Sequence, residues 1–427
     1  MREMLIKIKN KEAFIAMTND RQLIEVFLPR QDHQNLFGNI YLGKVENVLP
    51  GMQAAFINIG LEKNSFLYVE DALAPASINE QGKLSSADRT RPINELVKPG
   101  QQVMVQLFKE PAGTKGARVT MYPSLPGRFV VLLPMGDYIA VSRRIEAEEQ
   151  REQLKELVRS ELPEHMGAII RTVAGSAPPQ AILADLHRLI KEWHRIQGRA
   201  AKATSPALLY SDFDMLKRVI RDTNADDIDK IVVANAEDYE EVSDICESIA
   251  PGLRDALIIR ESNDLFGDYD IYSQMERALH RKIWLKSGGY IIIDQTEALT
   301  AIDVNTGKYI GENDLASTVF KTNMEAVVEI ARQLRLRNIG GIVIIDFIDM
   351  DDPEDKQKLL DELNERMKED RVRITVMGMT QLGLVELTRK KVGHDLSSVI
   401  EKECPYCGGK GKTPVDIMEM LQKSRDS

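Results

Sequence analysis

Cysteine and long apolar runs are both scarce in this chain of 427 residues. Three cysteines are present, which excludes a disulfide framework for a protein of this size and favours a reducing cytoplasm. No apolar run approaches the roughly 20 residues of a membrane-spanning helix. Residues 1–7 lack a secretory apolar segment and predict a strand instead. The length exceeds one typical core, so we expect several domains.

An excess of basic residues is also missing, because the formal net charge is −10. This balance argues weakly against a nucleic-acid partner. Phosphate binding depends on the local patch of charge rather than on the sum, so composition leaves nucleic-acid binding open.

The pattern along the chain predicts an α+β multidomain fold. Short apolar segments up to residue 36 predict strands, and residues 39–121 predict a small β-barrel interrupted by a polar loop at 74–92. Residues 123–206 mix strands with two amphipathic helices, and residues 207–281 alternate helix and strand. Residues 282–400 predict an α/β unit with a long helix from about 315 to 337.

Two apolar runs each close on an aspartate, which is the strongest signal for chemistry. Asp303, with Asn305 beside it, ends one run, and Asp346 ends the other. Carboxylate and amide oxygens are the ligands that Mg²⁺ prefers, and Mg²⁺ commonly acts on phosphates. Either aspartate alone is more often an ordinary turn or cap residue; the pair favours phosphoryl chemistry.

Cys404 and Cys407 have the spacing of a zinc knuckle. A structural zinc ion needs four protein ligands, and the chain offers these two, since Cys246 lies in an apolar helical pattern. His394 is a further candidate ligand. The favoured way to complete the four ligands is a second chain that supplies two more thiolates. A redox pair or a turn without metal remains the alternative.

Several long motifs, in order, resemble the catalytic core of the bacterial ribonuclease E/G endonucleases: EALTAIDVN at 297–305, IARQLRLR at 330–337, IDFIDM at 345–350 and the cysteine motif from 404. The resemblance runs from the first strand to about residue 413. It implies a ribonuclease H-like subdomain interrupted by an S1 (OB-fold) barrel and a 5′-sensor region, then a deoxyribonuclease I-like subdomain and a zinc link. The implied segments are 1–37 and 215–281 for the ribonuclease H-like subdomain, 38–122 for the S1 barrel, 123–214 for the 5′-sensor region, 282–400 for the catalytic subdomain, 401–413 for the zinc link and 414–427 for a tail.

The resemblance implies Mg²⁺-dependent cleavage of single-stranded, A/U-rich RNA that leaves a 3′-hydroxyl and a 5′-phosphate, with 5′-monophosphorylated substrates favoured. Such an enzyme processes rRNA precursors and degrades mRNA. Asp303 and Asp346 would hold one Mg²⁺ per chain, with support from Asn305. Cys404 and Cys407 would share one Zn²⁺ between the two chains of a homodimer, and a dimer of dimers stays open. The short segment after the zinc motif favours a ribonuclease G-like or a truncated ribonuclease E protein.

The resemblance also names residues that would contact RNA. The implied sensor of the 5′-phosphate is Gly127, Val131, Arg171, Thr172 and Arg373, and the implied RNA-binding residues are Phe56, Phe66, Lys115, Arg143 and Arg144. Arginines and a hydroxyl suit a terminal phosphate, and phenylalanines stack on bases. Taken alone, Arg171 and Arg373 would more often be solvated surface residues; for the phenylalanines, barrel core is the alternative interpretation.

Two other classes of function compete with the nuclease. A non-catalytic RNA-binding scaffold would keep the barrel and the sensor but have no use for Asp303, Asn305 and Asp346. A zinc or thiol redox protein would be built around Cys404 and Cys407, yet no thioredoxin-like pattern surrounds them.

Overall fold

The computed structural model describes residues 1–10, 12–29, 36–73, 91–111, 116–212, 215–307, 315–402 and 404–407. The strands are β1 (Arg2–Lys9), β2 (Glu12–Asn19), β3 (Gln22–Phe27), β4 (Ile40–Leu49), β5 (Ala54–Asn58), β6 (Ser65–Tyr68), β7 (Gln102–Lys109), β8 (Arg118–Thr120), β9 (Leu125–Pro126), β10 (Val130–Leu133), β11 (Ile139–Val141), β12 (Gly167–Ile170), β13 (Ala207–Tyr210), β14 (Lys230–Val233), β15 (Leu257–Ile259), β16 (Lys282–Trp284), β17 (Tyr290–Gln295), β18 (Leu299–Asn305), β19 (Gly341–Asp346), β20 (Ile374–Met379) and β21 (Val385–Arg389). The α-helices are α1 (Val69–Ala72), α2 (Ile93–Leu96), α3 (Glu148–Arg159), α4 (Pro179–Ala200), α5 (Met215–Asp222), α6 (Ala236–Ile249), α7 (Leu265–Asp268), α8 (Ile271–Leu279), α9 (Leu315–Leu336), α10 (Pro353–Lys368) and α11 (Leu396–Ile400). None of these helices is both long and apolar enough to cross a membrane.

The chain divides into two compact units. The first unit contains residues 1–28, 230–235 and 258–427, and the second contains residues 29–229 and 236–257. The mixture of helices and sheets confirms the predicted α+β class. The finer division into ribonuclease H-like, sensor, catalytic and zinc-link segments stays a prediction.

One sheet of the first unit joins the beginning of the chain to its middle. Its strand order is β15-β14-β1-β2-β3. β1 pairs parallel with β14 and antiparallel with β2. Leu5, Ala16 and Val232 from these strands pack against Leu265 and Phe266 in one buried cluster.

The second sheet of the first unit carries the two aspartates. Its strand order is β16-β17-β18-β19-β21-β20, and β18 and β19 are parallel neighbours on either side of α9 in the sequence. Alternate residues of each strand are buried, among them Ile302, Val304, Val343 and Ile345. They pack against the apolar stripes of α9 and α10, because residues three and four apart share one face of a helix. The opposite face of these strands is largely exposed.

The second unit begins with a closed barrel. Strands β4, β5, β6, β8 and β7 pair in that order, and β7 pairs back with β4, which leaves β13 as an added strand beside β4. Val45, Ile57, Leu67, Val105 and Val119 are among the residues that fill it. A closed five-stranded barrel is the architecture of an S1-like OB-fold, as predicted. Most of the predicted polar loop, residues 74–90, lies outside the described residues.

A small sheet and two long helices complete most of the second unit. The sheet order is β11-β12-β10-β9. Leu132 and Ile170 of the sheet pack with Ile182, Leu186 and Trp193 of α4, so the amphipathic helix expected in this region is confirmed.

The buried guanidinium of Arg128 donates to the carbonyl oxygens of three residues at the end of α5, with a distance of 2.9 Å to Thr223 O.

Candidate active site and nucleic-acid interface

Asp303 and Asp346 are brought together by strand register. They are paired residues of the parallel strands β18 and β19. Residues directly opposite on neighbouring strands point to the same face of a sheet, about 4.8 Å apart in their backbones. Both aspartates are exposed, while Ile302, Val304 and Ile345 beside them face the helices. The fold therefore presents two carboxylates side by side on an open surface.

Asn305 orients the first carboxylate. Its Nδ2 donates a hydrogen bond of 2.7 Å to Asp303 Oδ2, which leaves the amide oxygen as a further ligand. Within the described residues there is no group of three or more His, Cys, Asp or Glu side chains suited to a metal. Mg²⁺ does not need one, because it usually binds one or two carboxylates and completes its shell with water and substrate phosphate. The donors of Asp303, Asp346 and Asn305 therefore fit Mg²⁺.

The predicted aromatic residues of the barrel lie outside its core. Phe56 and Phe66 are register partners on β5 and β6, with ring centroids 4.8 Å apart, and both are half-buried. They line a groove of about 440 Å³ together with Glu46, Asn47, Lys63, Asn64 and Gly116. Neither phenylalanine belongs to the buried cluster that fills the barrel, and their stacking on bases stays a prediction.

The structure extends this aromatic surface with residues that the sequence did not single out. The rings of Tyr68 and Phe66 are stacked with centroids 6.3 Å apart. The Arg118 guanidinium lies 4.7 Å from the Tyr68 ring centroid and 5.1 Å from that of Phe108. Asp71 holds Arg118 through a hydrogen bond of 2.8 Å. The alternation of Phe66 and Tyr68 along one strand could have indicated the tyrosine from the sequence. Nothing in the sequence indicated Arg118, which lies 50 residues after Tyr68.

Arg171, a predicted sensor residue, is fixed by an anionic partner. Its Nη1 donates to Gly127 O and to Asp222 Oδ1, each at 2.7 Å. Burial alone would raise the pKa of Asp222, but the guanidinium groups of Arg221 and Arg171 outweigh it and hold that pKa below its ordinary value. A guanidinium has five N–H donors. Both side-chain hydrogen bonds of Arg171 within the described residues use Nη1, and Nε and Nη2 donate none there.

Gly127 is held against a buried carboxylate. A Cβ atom at position 127 would lie 2.3 Å from Asp185 Oδ2. Asp185 accepts hydrogen bonds from the backbone N–H groups of Phe129 at 2.8 Å and Val130 at 3.3 Å, and from Arg188 Nη2 at 2.7 Å. Only glycine leaves room for this arrangement. Asp185 is a supporting residue that the sequence did not indicate, because it looks like one polar position of an amphipathic helix.

The remaining predicted contacts of the second unit lie on one turn and one strand. Val131 is half-buried in β10. The hydroxyl oxygens of Thr172 and Ser142 are 2.7 Å apart, and the Arg144 N–H donates to Ser142 Oγ at 3.4 Å. Arg143 and Arg144 are both exposed. The structure thus brings Thr172 to the turn that carries the two arginines.

Two predicted RNA contacts stand apart from these. Arg373 is exposed just before β20 and belongs to the first unit, whereas the other four sensor residues belong to the second. A joint role for them stays a prediction. Lys115 lies outside the described residues.

Cys404 and Cys407 are free thiols, the first exposed and the second half-buried. Hydrogen bonds from the backbone N–H groups of Cys407 and Tyr406 lower the pKa of the Cys404 thiol and favour the thiolate that binds metals. His394 does not join the two cysteines in a metal-binding group of three among the described residues. Cys246, in contrast, is buried in α6, where burial raises its pKa to about 11.

Comparisons with known proteins agree on one family. The family model described as Ribonuclease E/G family matches residues 124–392. Ribonuclease G of Escherichia coli K12 is 40% identical over 410 residues, which cover 96% of this chain and 84% of that protein. Ribonuclease G of Haemophilus influenzae is 40% identical over 411 residues with the same two shares. Ribonuclease E of a Nostoc species is 41% identical over 413 residues, 96% of this chain and 58% of that protein. The chain belongs to the Ribonuclease E/G family.

Proposed function

We propose that this chain is a Mg²⁺-dependent endoribonuclease that cleaves single-stranded A/U-rich RNA and favours substrates with a 5′-monophosphate. Membership of the Ribonuclease E/G family makes it an enzyme of the ribonuclease class. The observation that carries the mechanism is the exposed pair Asp303 and Asp346, one strand apart on the same face of a sheet. Its substrates would be rRNA precursors and mRNA in the cytoplasm.

Asp303 and Asp346 would hold the Mg²⁺ ion, with the Asn305 amide oxygen as a further ligand. When bound there, the ion would supply activation of a water and neutralise negative charge on the scissile phosphate. The chain itself contributes rigidity. The carboxylates stand on a hydrogen-bonded ladder, and the Asn305 amide fixes Asp303, so little reorganisation is needed when RNA arrives.

The barrel groove supports binding of single-stranded RNA. Phe56 and Phe66 present half-buried rings in this groove, which Lys63 and Glu46 also line. Stacking on an aromatic ring tolerates any base and gives about 1–3 kcal/mol per base. Exposed Arg143 and Arg144 would contact the phosphate backbone.

Arg171 and Thr172 support recognition of a 5′-monophosphate. The guanidinium is pre-oriented by Asp222 and the Gly127 carbonyl, and the hydroxyl of Thr172 is at the adjacent turn. Charge-assisted bonds from a fixed guanidinium suit a terminal phosphate, which carries more negative charge than an internal phosphodiester.

Cys404 and Cys407 support a homodimer. A tetrahedral zinc site needs four ligands, and two thiolates from each of two chains complete it with one ion per dimer. The lowered pKa of Cys404 favours this use over an inert thiol.

Cleavage of a 5′-monophosphorylated A/U-rich single-stranded RNA in Mg²⁺ tests the mechanism. Asp303→Asn and Asp346→Asn should each reduce kcat/KM by about 100-fold or more while RNA binding persists, because ion-assisted charge stabilisation is worth several kcal/mol. Glu386→Gln is the matched control, since Glu386 is an exposed carboxylate on a neighbouring strand of the same sheet. It should stay within about twofold of wild type.

Three outcomes separate the alternatives. Equal cleavage by the aspartate variants would place the chemistry elsewhere. Binding without cleavage by a zinc-loaded wild type would favour a non-catalytic RNA scaffold. If Arg171→Gln leaves the preference for a 5′-monophosphate over a 5′-hydroxyl unchanged, the proposed sensor is wrong while the nuclease stands.

A further inference from the structure

The hairpin of β16 and β17 carries three residues that the proposed mechanism does not use. Trp284 and Tyr290 are register partners, with ring centroids 5.4 Å apart and planes at 68° to one another. Lys282 Nζ lies 4.0 Å from the Trp284 ring centroid and 3.6 Å from that of Tyr290. We call Lys282, Trp284 and Tyr290 the hairpin cluster.

Packing of the sheet does not account for the hairpin cluster. The core on the other face takes the alternate residues Ile283 and Ile291, which are 9% and 0% exposed. Trp284 is 63% exposed, and the surface of Lys282 is exposed as well. A solvent-exposed tryptophan is a common feature of binding surfaces, where its large ring contacts a partner.

Strand register places the hairpin cluster on the face of the acidic pair. On β17, Ile292 pairs with Lys282 on one side and with Asp303 on the other, and Tyr290 pairs directly with Asn305. Two strand spacings separate the Cα atoms of Lys282 and Asp303, which is about 10 Å. A nucleic-acid strand whose phosphate lies at Asp303 therefore has its neighbouring nucleotides within reach of the hairpin cluster.

We propose that the hairpin cluster is a base-binding subsite for a nucleotide adjacent to the scissile phosphate. Trp284 stacks on the base, Tyr290 supports the Trp284 ring from its edge, and Lys282 supplies positive charge for the backbone phosphate. This inference rests on the proposed function of the acidic pair. The chemistry favours RNA over a protein partner, because the cation and the aromatic rings suit phosphate and base together and adjoin the site of phosphodiester chemistry.

Tryptophan emission gives a direct test, because the chain has two tryptophans and Trp193 is 4% exposed. The Asp303→Asn protein keeps RNA intact, and Trp284→Phe in that background identifies the share of emission that belongs to Trp284. Binding of a single-stranded RNA, followed independently by fluorescence anisotropy, should quench the Trp284 share. Oligonucleotides with one abasic position should lose the quenching only when that position is next to the cleavage site.

Cleavage kinetics with active enzyme give the second readout. Trp284→Leu should lower kcat/KM by about 5-fold or more, the equivalent of one lost base stack. Trp284→Phe, which keeps an aromatic ring, should lose less. Met377→Ala is the control for removing an exposed apolar side chain, since Met377 is 67% exposed on β20 of the same sheet. It should leave kcat/KM within about twofold.

Each result decides the inference. RNA binding without a change in Trp284 emission, together with unchanged kcat/KM in Trp284→Leu, would overturn it. A change of oligomeric state in Trp284→Leu with unaltered RNA kinetics would also overturn it and assign the hairpin cluster to a protein interface. Binding and quenching in a wild type that does not cleave would refute the proposed nuclease and the position beside a scissile phosphate, while base stacking on Trp284 would stand.

Discussion

Gly127→Ala is the substitution whose effect can be derived most directly from the structure. The new Cβ would start 2.3 Å from Asp185 Oδ2 and 2.7 Å from Oδ1, whereas ordinary contacts begin near 3.4 Å. The carboxylate therefore has to retreat by about an ångström. It cannot do so freely, because its position is set by the N–H groups of Phe129 and Val130 and by Arg188.

The expected loss of unfolding free energy follows from the hydrogen bonds of Asp185 that this movement breaks. A hydrogen bond to a charged group contributes about 1.5–3 kcal/mol, and overpacking a buried site costs about 1–3 kcal/mol. With partial relaxation, Gly127→Ala should lower the unfolding free energy of the second unit by about 3 kcal/mol. Because the Gly127 carbonyl also anchors Arg171, the preference for a 5′-monophosphate should fall too.

Urea unfolding measured by Trp193 emission is the assay, in a Trp284→Phe background so that only the second unit reports. Gly198→Ala is the matched control, because a Cβ there meets nothing within 4 Å in α4. It should raise stability by about 0.5–1 kcal/mol. Asp185→Ala should reduce the cost of Gly127→Ala in the double variant. A Gly127→Ala protein as stable as Gly198→Ala would refute the reasoning.

Three further predictions concern the barrel, the sensor and the zinc link. Phe66→Leu should weaken binding of single-stranded RNA by about 1–3 kcal/mol in anisotropy titrations without changing the far-ultraviolet circular dichroism. The pKa of Asp222 is held below its ordinary value, so its carboxylate stabilises the fold above about pH 4 and this contribution is lost as the pH falls through the folded pKa. Asp222→Asn should therefore cost about 2 kcal/mol in urea unfolding at pH 7 and progressively less below pH 4; a constant difference would contradict this. Removal of zinc by a chelator, or Cys404→Ser, should convert the dimer to monomers in sedimentation velocity, and an unchanged dimer would contradict the shared zinc ion.

Much of the fold was predictable because it depends on local patterns. The continuous apolar runs that end at Asp303 and Asp346 are β18 and β19, and the helix expected from about 315 to 337 is α9. Both strands are buried on alternate residues, so the aspartates fall on the exposed face. Their exact pairing was not predictable, since register between two strands separated by a long helix depends on the whole sheet.

The residues that the sequence did not indicate are those that act across long separations. Asp185 lies 58 residues after Gly127, and Asp222 lies 51 residues after Arg171. In the sequence each aspartate has the pattern of a solvated helix position. The pairing of Trp284 with Tyr290 is a different case. The sequence Ser287-Gly288-Gly289 between them is typical of a hairpin turn, and counting outward from it places the two aromatic residues opposite each other.

The pairing of Asp303 with Asp346 makes the distance between the two carboxylates a property of the backbone ladder. A slip of one residue between β18 and β19 would turn one aspartate toward α9 and expose an isoleucine. Core substitutions beneath the pair, at Val304 or Ile345, should therefore reduce the proposed catalysis without changing a proposed metal ligand. Changes in the length of the segment between β18 and β19 leave the distance between the two carboxylates intact as long as the two strands pair in this register. Activity should accordingly disappear on heating at the temperature at which this sheet melts, and not before.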